Sequence, residues 1–188
     1  MCQRPAAYGM THPGCIHPFG IDGLIAIWRY KGKIKQVISQ LKFKFVKQIT
    51  GRLAEFVAIE IRQDERLQAL RQEVQQSIWL GVPLHSSRER WRGFNQSEAI
   101  AHQLSAALGG NYLPSVLERI RPTSPQVGLQ REEREENIRG AFKTSIPTKD
   151  QKIILVDDVW TTGATMQEAT RVLKRSGAKS VWGFALAR

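Results

Sequence analysis

The chain has 188 residues, a length that suits one α/β domain with a short appendage and buries a sizeable core. Its 28 Lys and Arg against 17 Asp and Glu leave a formal charge of +11, which points to polyanions such as phosphorylated metabolites, nucleic acid or an acidic partner without choosing among them. No stretch approaches the roughly 18 consecutive apolar residues of a membrane helix, the N-terminus lacks the basic start and apolar core of a secretory signal, and two cysteines are too few for a disulfide scaffold, so a cytoplasmic protein without a membrane partner is expected.

From Met1 to Gly23 the sequence is rich in Gly, Pro and His without apolar periodicity, which predicts an irregular N-terminal arm over 1–23 and a domain over 24–188. An apolar, aromatic run from Leu24 to Tyr30 predicts a strand. Ile34, Val37, Ile38, Leu41, Phe45, Val46 and Ile49 then recur at the spacings of an amphipathic helix, and a second helical pattern (Leu53, Phe56, Val57, Ile61) follows Gly51. "SIWLGVP" (Ser77 to Pro83) is apolar on both faces, as in a parallel strand covered from each side. The next helix has Asn95 as its cap, Glu98 in capping-box spacing, a stripe of Ile100, Leu104, Ala107 and Leu108, and an end at Gly109-Gly110. "QKIILVDD" predicts a buried strand, "GATMQEATRVLKRSGA" a helix ending at Gly177, and "SVWGFALA" a final strand. This alternation predicts an α/β fold, a doubly wound, mostly parallel sheet with helices on both faces, its ligands gathered beyond the strands' C-terminal ends.

"VDDVWTTGAT" (Val156 to Thr165) lies at one of those ends. The turn Thr161-Thr162-Gly163-Ala164-Thr165 leads into a helix whose first amides are unsatisfied and carry the positive end of the helix dipole, so a phosphate monoester fits there. Asp157 and Asp158 would repel a bare phosphate. They make sense if the ligand also carries a sugar whose vicinal hydroxyls must be held, or a Mg²⁺ neutralising a pyrophosphate. A ribose with phosphate at one end and pyrophosphate at the other meets both demands.

"IILVDDVWTTGAT" (Ile153 to Thr165) resembles the phosphoribosyl pyrophosphate (PRPP) binding signature of type I phosphoribosyltransferases. "YKG" (Tyr30 to Gly32), "LKF" (Leu41 to Phe43), "VPLHSSRERWRGFNQSEAIA" (Val82 to Ala101) and "RIRPTSPQVGLQREEREENIRGAF" (Arg119 to Phe142) are similar to successive blocks of the ComF-type family, phosphoribosyltransferase-like proteins associated in some bacteria with competence for DNA uptake. The resemblance implies the type I phosphoribosyltransferase fold and a site that takes PRPP and Mg²⁺. Thr161 to Thr165 would hold the ribose phosphate, while Asp157 and Asp158 would be the catalytic residues and hold Mg²⁺ with PRPP. Pro83 to Arg92 would be the pyrophosphate loop, with His85, Ser86 and Arg88 as contacts. For Arg88, Arg90 and Arg92 a solvated basic turn is the structural alternative. Arg121 to Gly140 would be a flap closing over substrate, with Arg119, Gln126 and Arg134 reaching phosphate or pyrophosphate. The same charges could equally lie along an exposed helix.

ComF-type proteins commonly begin with a zinc knuckle of paired cysteines, and here Cys2, His12 and Cys15, with His17 nearby, are what the arm offers for zinc. Their irregular order favours an unmetallated arm, and a reading frame starting upstream with further cysteines is a third alternative. From Arg29 to Arg52 eight residues are basic and none acidic, with Trp28, Tyr30, Phe43 and Phe45 interleaved, a pattern open to single-stranded DNA or to an ordinary amphipathic helix. Two functions follow as expectations. One is a PRPP- and Mg²⁺-dependent transfer of phosphoribosyl to an unidentified nitrogenous acceptor with release of pyrophosphate. The other is a non-catalytic protein that senses PRPP or a nucleotide and binds single-stranded DNA. A homodimer is compatible with either, and the sequence leaves oligomeric state open.

Overall fold

The apolar segments of the second half build the centre of the sheet because their side chains alternate between two covered faces. In the computed structural model, which describes residues 10–11, 13–40, 47–63, 74–123 and 130–188 (without the side chains at 14, 47–49 and 131), strand β6 (Lys152–Val159) lies between β7 (Ser180–Ala187) and β2 (Ile78–Gly81). Strand β1 (Gly23–Trp28) extends the sheet beyond β7, and the short β3 (Asn111–Tyr112) extends it beyond β2. The order is β1-β7-β6-β2-β3 and every pairing is parallel. The expected doubly wound sheet is therefore present.

Ile153 and Leu155 point to one face, Ile154 and Val156 to the other, all but excluded from solvent. Helix α6 (Ala164–Arg175) covers the first face with Met166, Ala169 and Leu173. Helices α1 (Gly32–Gln40), α2 (Lys47–Gln63) and α4 (Gln96–Leu108) cover the second through Ile38, Ala54, Val57, Ile61, Ile100, Ala101 and Leu104. A short helix α3 (Ser86–Arg92) joins β2 to α4.

Of the helix expected from Ile34 to Ile49, the first part is α1 and Ile49 belongs to the first turn of α2, while Leu41, Phe45 and Val46 lie outside the described residues. Gly51 sits inside α2 instead of preceding a separate helix. A helical glycine costs only about 1 kcal/mol, and the apolar stripe of α2 packed on the core readily offsets that. The capping of α4 is as expected: the Asn95 carboxamide oxygen accepts from the Ser97 amide at 3.0 Å, and Gly109 closes the helix at φ 87°. Of its predicted stripe Ile100 and Leu104 are buried, while Ala107 and Leu108 are only partly so.

Three strands escaped sequence reasoning: the two-residue β3 and two that pair with each other. β4 (Leu117–Arg119) and β5 (Phe142–Thr144) pair antiparallel, Arg119 opposite Phe142, so the charged segment between them is the long connection of a hairpin. That segment contains helix α5 (Arg131–Ile138); the carbonyl of Asn137 in its last turn and that of the capping residue Arg139 accept from the Arg121 guanidinium. Within the arm, Thr11 donates from its amide to the Asp22 carbonyl at 2.8 Å, and residues 13–15 form a 3₁₀ turn. No helix among the described residues is long and apolar enough to cross a membrane.

Candidate functional site

Beyond the C-terminal ends of β6 and β2 lies a cavity of about 300 Å³. Its floor is the turn 161–165 and its walls carry Asp157, Asp158, Arg88, Arg92, Gln96, Ser97, Arg119 and Arg134. β6 supplies the acids, α3 and α4 one wall, β4 and α5 the other. Residues separated by up to 136 positions in the sequence, Tyr30 and Met166, thus share one hollow.

The turn has the form a phosphate cradle needs. Gly163 adopts φ 80°, and a Cβ there would overlap the Trp160 ring, so only glycine lets the chain bend this closely over that buried indole. The Thr162 hydroxyl accepts from the Ala164 amide at 3.4 Å, and from there the amides of α6 face the cavity end of the helix. Twelve residues of α6 stand behind them, enough for the full terminal charge of a helix dipole.

Two adjacent carboxylates at such a place require compensation, and α4 provides it. The Ser97 hydroxyl donates to Asp157 Oδ1 at 2.9 Å, and the Asp158 amide donates to the same oxygen at 2.9 Å. The Gln96 carboxamide donates to Asp158 Oδ2 at 3.5 Å, and its own oxygen accepts from the Arg92 guanidinium. Asp157 therefore sits against the positive N-terminal end of α4, while Asp158, only 7% exposed, connects through one amide to a buried cation. Asn95 locks this arrangement to the sheet by donating to the Val82 carbonyl at 3.0 Å. Gly81 is what allows the approach: a Cβ on it would overlap the backbone of Ser97 and Glu98.

The arginines are held in unusual settings. Arg119 lies over the Phe142 ring, 5.6 Å from its centroid, and donates to Thr123. Its pKa is brought down to about 10, by burial first and then by Arg88 and Arg121, with Asp157 opposing the fall. Arg92 is pushed down by burial and by Arg88, against the pull of Asp158. Both keep a buried Nε–H without a protein partner. Arg134 of α5 reaches across the mouth to the Thr161 hydroxyl at 3.3 Å. The base of that helix is tied to α6, where the Glu168 carboxylate accepts from the Gly140 amide at 2.8 Å and pairs with Arg171.

Of the residues singled out from sequence, Asp157, Asp158, Thr161, Thr162, Gly163, Ala164, Thr165, Arg88, Arg119 and Arg134 all line this cavity. His85 and Ser86 are not among its lining residues. His85 instead caps α3, its Nδ1 2.7 Å from the Ser87 hydroxyl, because the first amides of that helix need an acceptor. Gln126, Cys2 and His12 lie outside the described residues; Cys15 is half-buried at the end of the 3₁₀ turn. Among the described residues no three His, Cys, Asp or Glu side chains gather to hold a metal. Arg90 is exposed on helix α3, but Arg92 is 8% exposed, far from the solvated alternative. Arg92, Gln96, Ser97 and Thr123 were not assigned site roles from sequence, although "RGFNQS" was legible as a block. Polar side chains at a helix start read as caps until the facing strand is known.

The phosphoribosyl transferase domain model matches residues 53–187. Over 189 aligned residues the chain is 32% identical to the DNA utilization protein YhgH of Salmonella typhimurium, covering 100% of this chain and 82% of that one. It is 30% identical over 171 residues to competence protein F of Haemophilus influenzae, covering 88% of this chain and 73% of that protein. With competence protein ComFC of Streptococcus pneumoniae it shares 31% over 163 residues, 87% of this chain and 67% of that one.

Proposed function

The chain belongs to the phosphoribosyl transferase domain family, with ComF-type relatives, and from that premise we propose that it binds PRPP with Mg²⁺ and transfers the phosphoribosyl group to a nitrogenous acceptor, releasing pyrophosphate. One observation carries the reading: a single cavity joins a glycine turn into a helix N-terminus, an acid pair with its charge compensated from behind, and four arginines. A plain anion site would need no carboxylates, and a plain metal site would need no arginines.

In this reading the turn 161–165 takes the ribose phosphate through its amides and threonine hydroxyls. Asp157 and Asp158 face the ribose hydroxyls and the positive charge that grows on the ring as the anomeric bond to pyrophosphate breaks. Arg88 and Arg119 receive the leaving group, a role supported by their place on the cavity wall and by the burial that disfavours the Arg119 charge. Mg²⁺, for which carboxylate oxygens beside a pyrophosphate are a suitable donor set, would neutralise the leaving group when held by Asp157 and Asp158. Arg134, on the hairpin connection, excludes water at the mouth once drawn to the ligand. Phosphorylated sugars do not cross membranes unaided, so a cytoplasmic location goes with this reading.

A second reading, PRPP or nucleotide sensing coupled to single-stranded DNA, is favoured by a different observation. An open hollow of about 610 Å³ adjoins the cavity through Tyr30, Val159, Trp160 and Thr161, and Arg29 and Lys31 stand beside those aromatics. The names of the relatives, DNA utilization and competence proteins, point the same way. Isothermal titration of PRPP with Mg²⁺ tests the shared premise: wild-type protein should bind, and Asp157→Asn should bind at least tenfold more weakly. Pyrophosphate release with any of a panel of purine and pyrimidine bases would favour transfer. Absence of release, together with single-stranded DNA binding that survives Asp157→Asn, would favour sensing.

A further inference from the structure

Arg92 carries a buried charge that the acid pair does not neutralise directly. Its guanidinium has donors only, so the oxygen of the Gln96 carboxamide must face it and the Gln96 NH₂ must then face Asp158. Arg92 thereby sets which way the amide points, and the amide sets where the Asp158 carboxylate is held. One donor of Arg92, its Nε–H, is buried in the cavity wall without a partner among the protein atoms, a position that costs stability unless a ligand fills it.

We propose that Arg92 and Gln96 are a positioning relay in which the anion of the ligand docks on the Arg92 Nε–H and Gln96 passes that occupancy to Asp158, aligning its carboxylate on the ribose. This rests on the phosphoribosyl reading and deepens it, since it makes the pyrophosphate end of the ligand responsible for ordering the group that meets the sugar. Arg92 contacts the anion; Gln96 acts only through its neighbours. Asp157, held independently by Ser97 and by the Asp158 amide, is outside the relay.

The test is a double-mutant cycle read by isothermal titration on the full chain, with PRPP plus Mg²⁺, inorganic pyrophosphate, and ribose 5-phosphate as separate probes. Gln96→Met keeps the volume and loses the amide; Arg92→Lys keeps the charge and loses the fork. Each should weaken PRPP about tenfold or more, and the double variant should be little worse than the poorer single one. Pyrophosphate should feel Arg92→Lys and not Gln96→Met, a split that general loosening of α4 would not produce. Gln96→Glu, of nearly the same shape but without the donor, should lose PRPP affinity as Gln96→Met does, with every variant titrated at a temperature at which its thermal melt shows it folded. Additive losses on PRPP, or wild-type PRPP affinity in Gln96→Met, would overturn the relay while leaving the phosphoribosyl reading intact. Wild-type protein that binds none of the three probes would remove that reading and the relay together.

Discussion

Gly163 and Arg119 show opposite ways in which a single residue serves the cavity at a cost to the fold. Gly163 is required by geometry: at φ 80°, with Trp160 against it, a side chain has neither a comfortable backbone nor room. Gly163→Ala should destabilise the protein by about 1–3 kcal/mol, seen as a lower melting temperature, and should weaken ribose 5-phosphate binding by displacing the turn. Arg119 is held where its charge is disfavoured, with its pKa down to about 10 from burial and from Arg88. Arg119→Met is therefore expected to leave the melting temperature of the unliganded protein unchanged or higher, and to weaken pyrophosphate binding at least tenfold. A variant that lost stability and kept its binding would contradict the leaving-group role.

At the scale of elements, the start of α4 decides the site. Three contacts bring it to the sheet: the Asn95 cap with its bond to Val82, the absence of a side chain on Gly81, and the Ser97 bond to Asp157. Asn95→Ala removes the cap and should cost about 1 kcal/mol from capping alone. Gly81→Ala should do more than destabilise, because the displaced α4 takes Gln96 and Ser97 away from both aspartates. Titration with PRPP and a thermal melt would separate the two effects: Asn95→Ala mainly lowers the melting temperature, whereas Gly81→Ala also lowers affinity. Wild-type affinity in Gly81→Ala would show that α4 does not set the acid pair.

Across the whole molecule, the β4–β5 connection is fastened to α6 by the Glu168 carboxylate, which accepts from the Gly140 amide. Burial alone would raise the Glu168 carboxyl, but the Arg171 hydrogen bond and the Gly140 amide outweigh it and hold its pKa below the ordinary value of 4.5. A depressed folded-state pKa contributes stability that is present above the unfolded value and is lost as pH falls through the folded one. Stability should thus decline as pH drops below about 4.5, and Glu168→Gln should be less stable at neutral pH with a shallower acid decline, measurable by urea unfolding across pH. Glu98, raised by burial and by Glu89, works against that trend, since its contribution fades as pH rises; a Glu98→Gln background isolates the Glu168 term.

Much of this was legible in the chain before any coordinates. Apolar runs covered on both faces, capped helices and alternating strands and helices specify a parallel sheet through local periodicity, and "VDDVWTTGAT" marks one strand end as a ligand site because its chemistry is contiguous. Local signals also placed Asn95 and Gly109 at the ends of α4. What the sequence could not reveal depends on approach between distant segments. The β4–β5 hairpin pairs residues 23 to 27 positions apart, from Arg119 with Phe142 to Leu117 with Thr144; Gly81 is informative only once α4 lies on it. His85 reads as a ligand contact until a helix start claims it, and Arg92 reads as a solvated turn charge until the fold buries it beside Gln96. Periodicity and capping act within a few residues and can be read along a line. Burial, compensation of the acid pair and the meeting of four arginines are properties of a packed volume, so only the tertiary structure decided them.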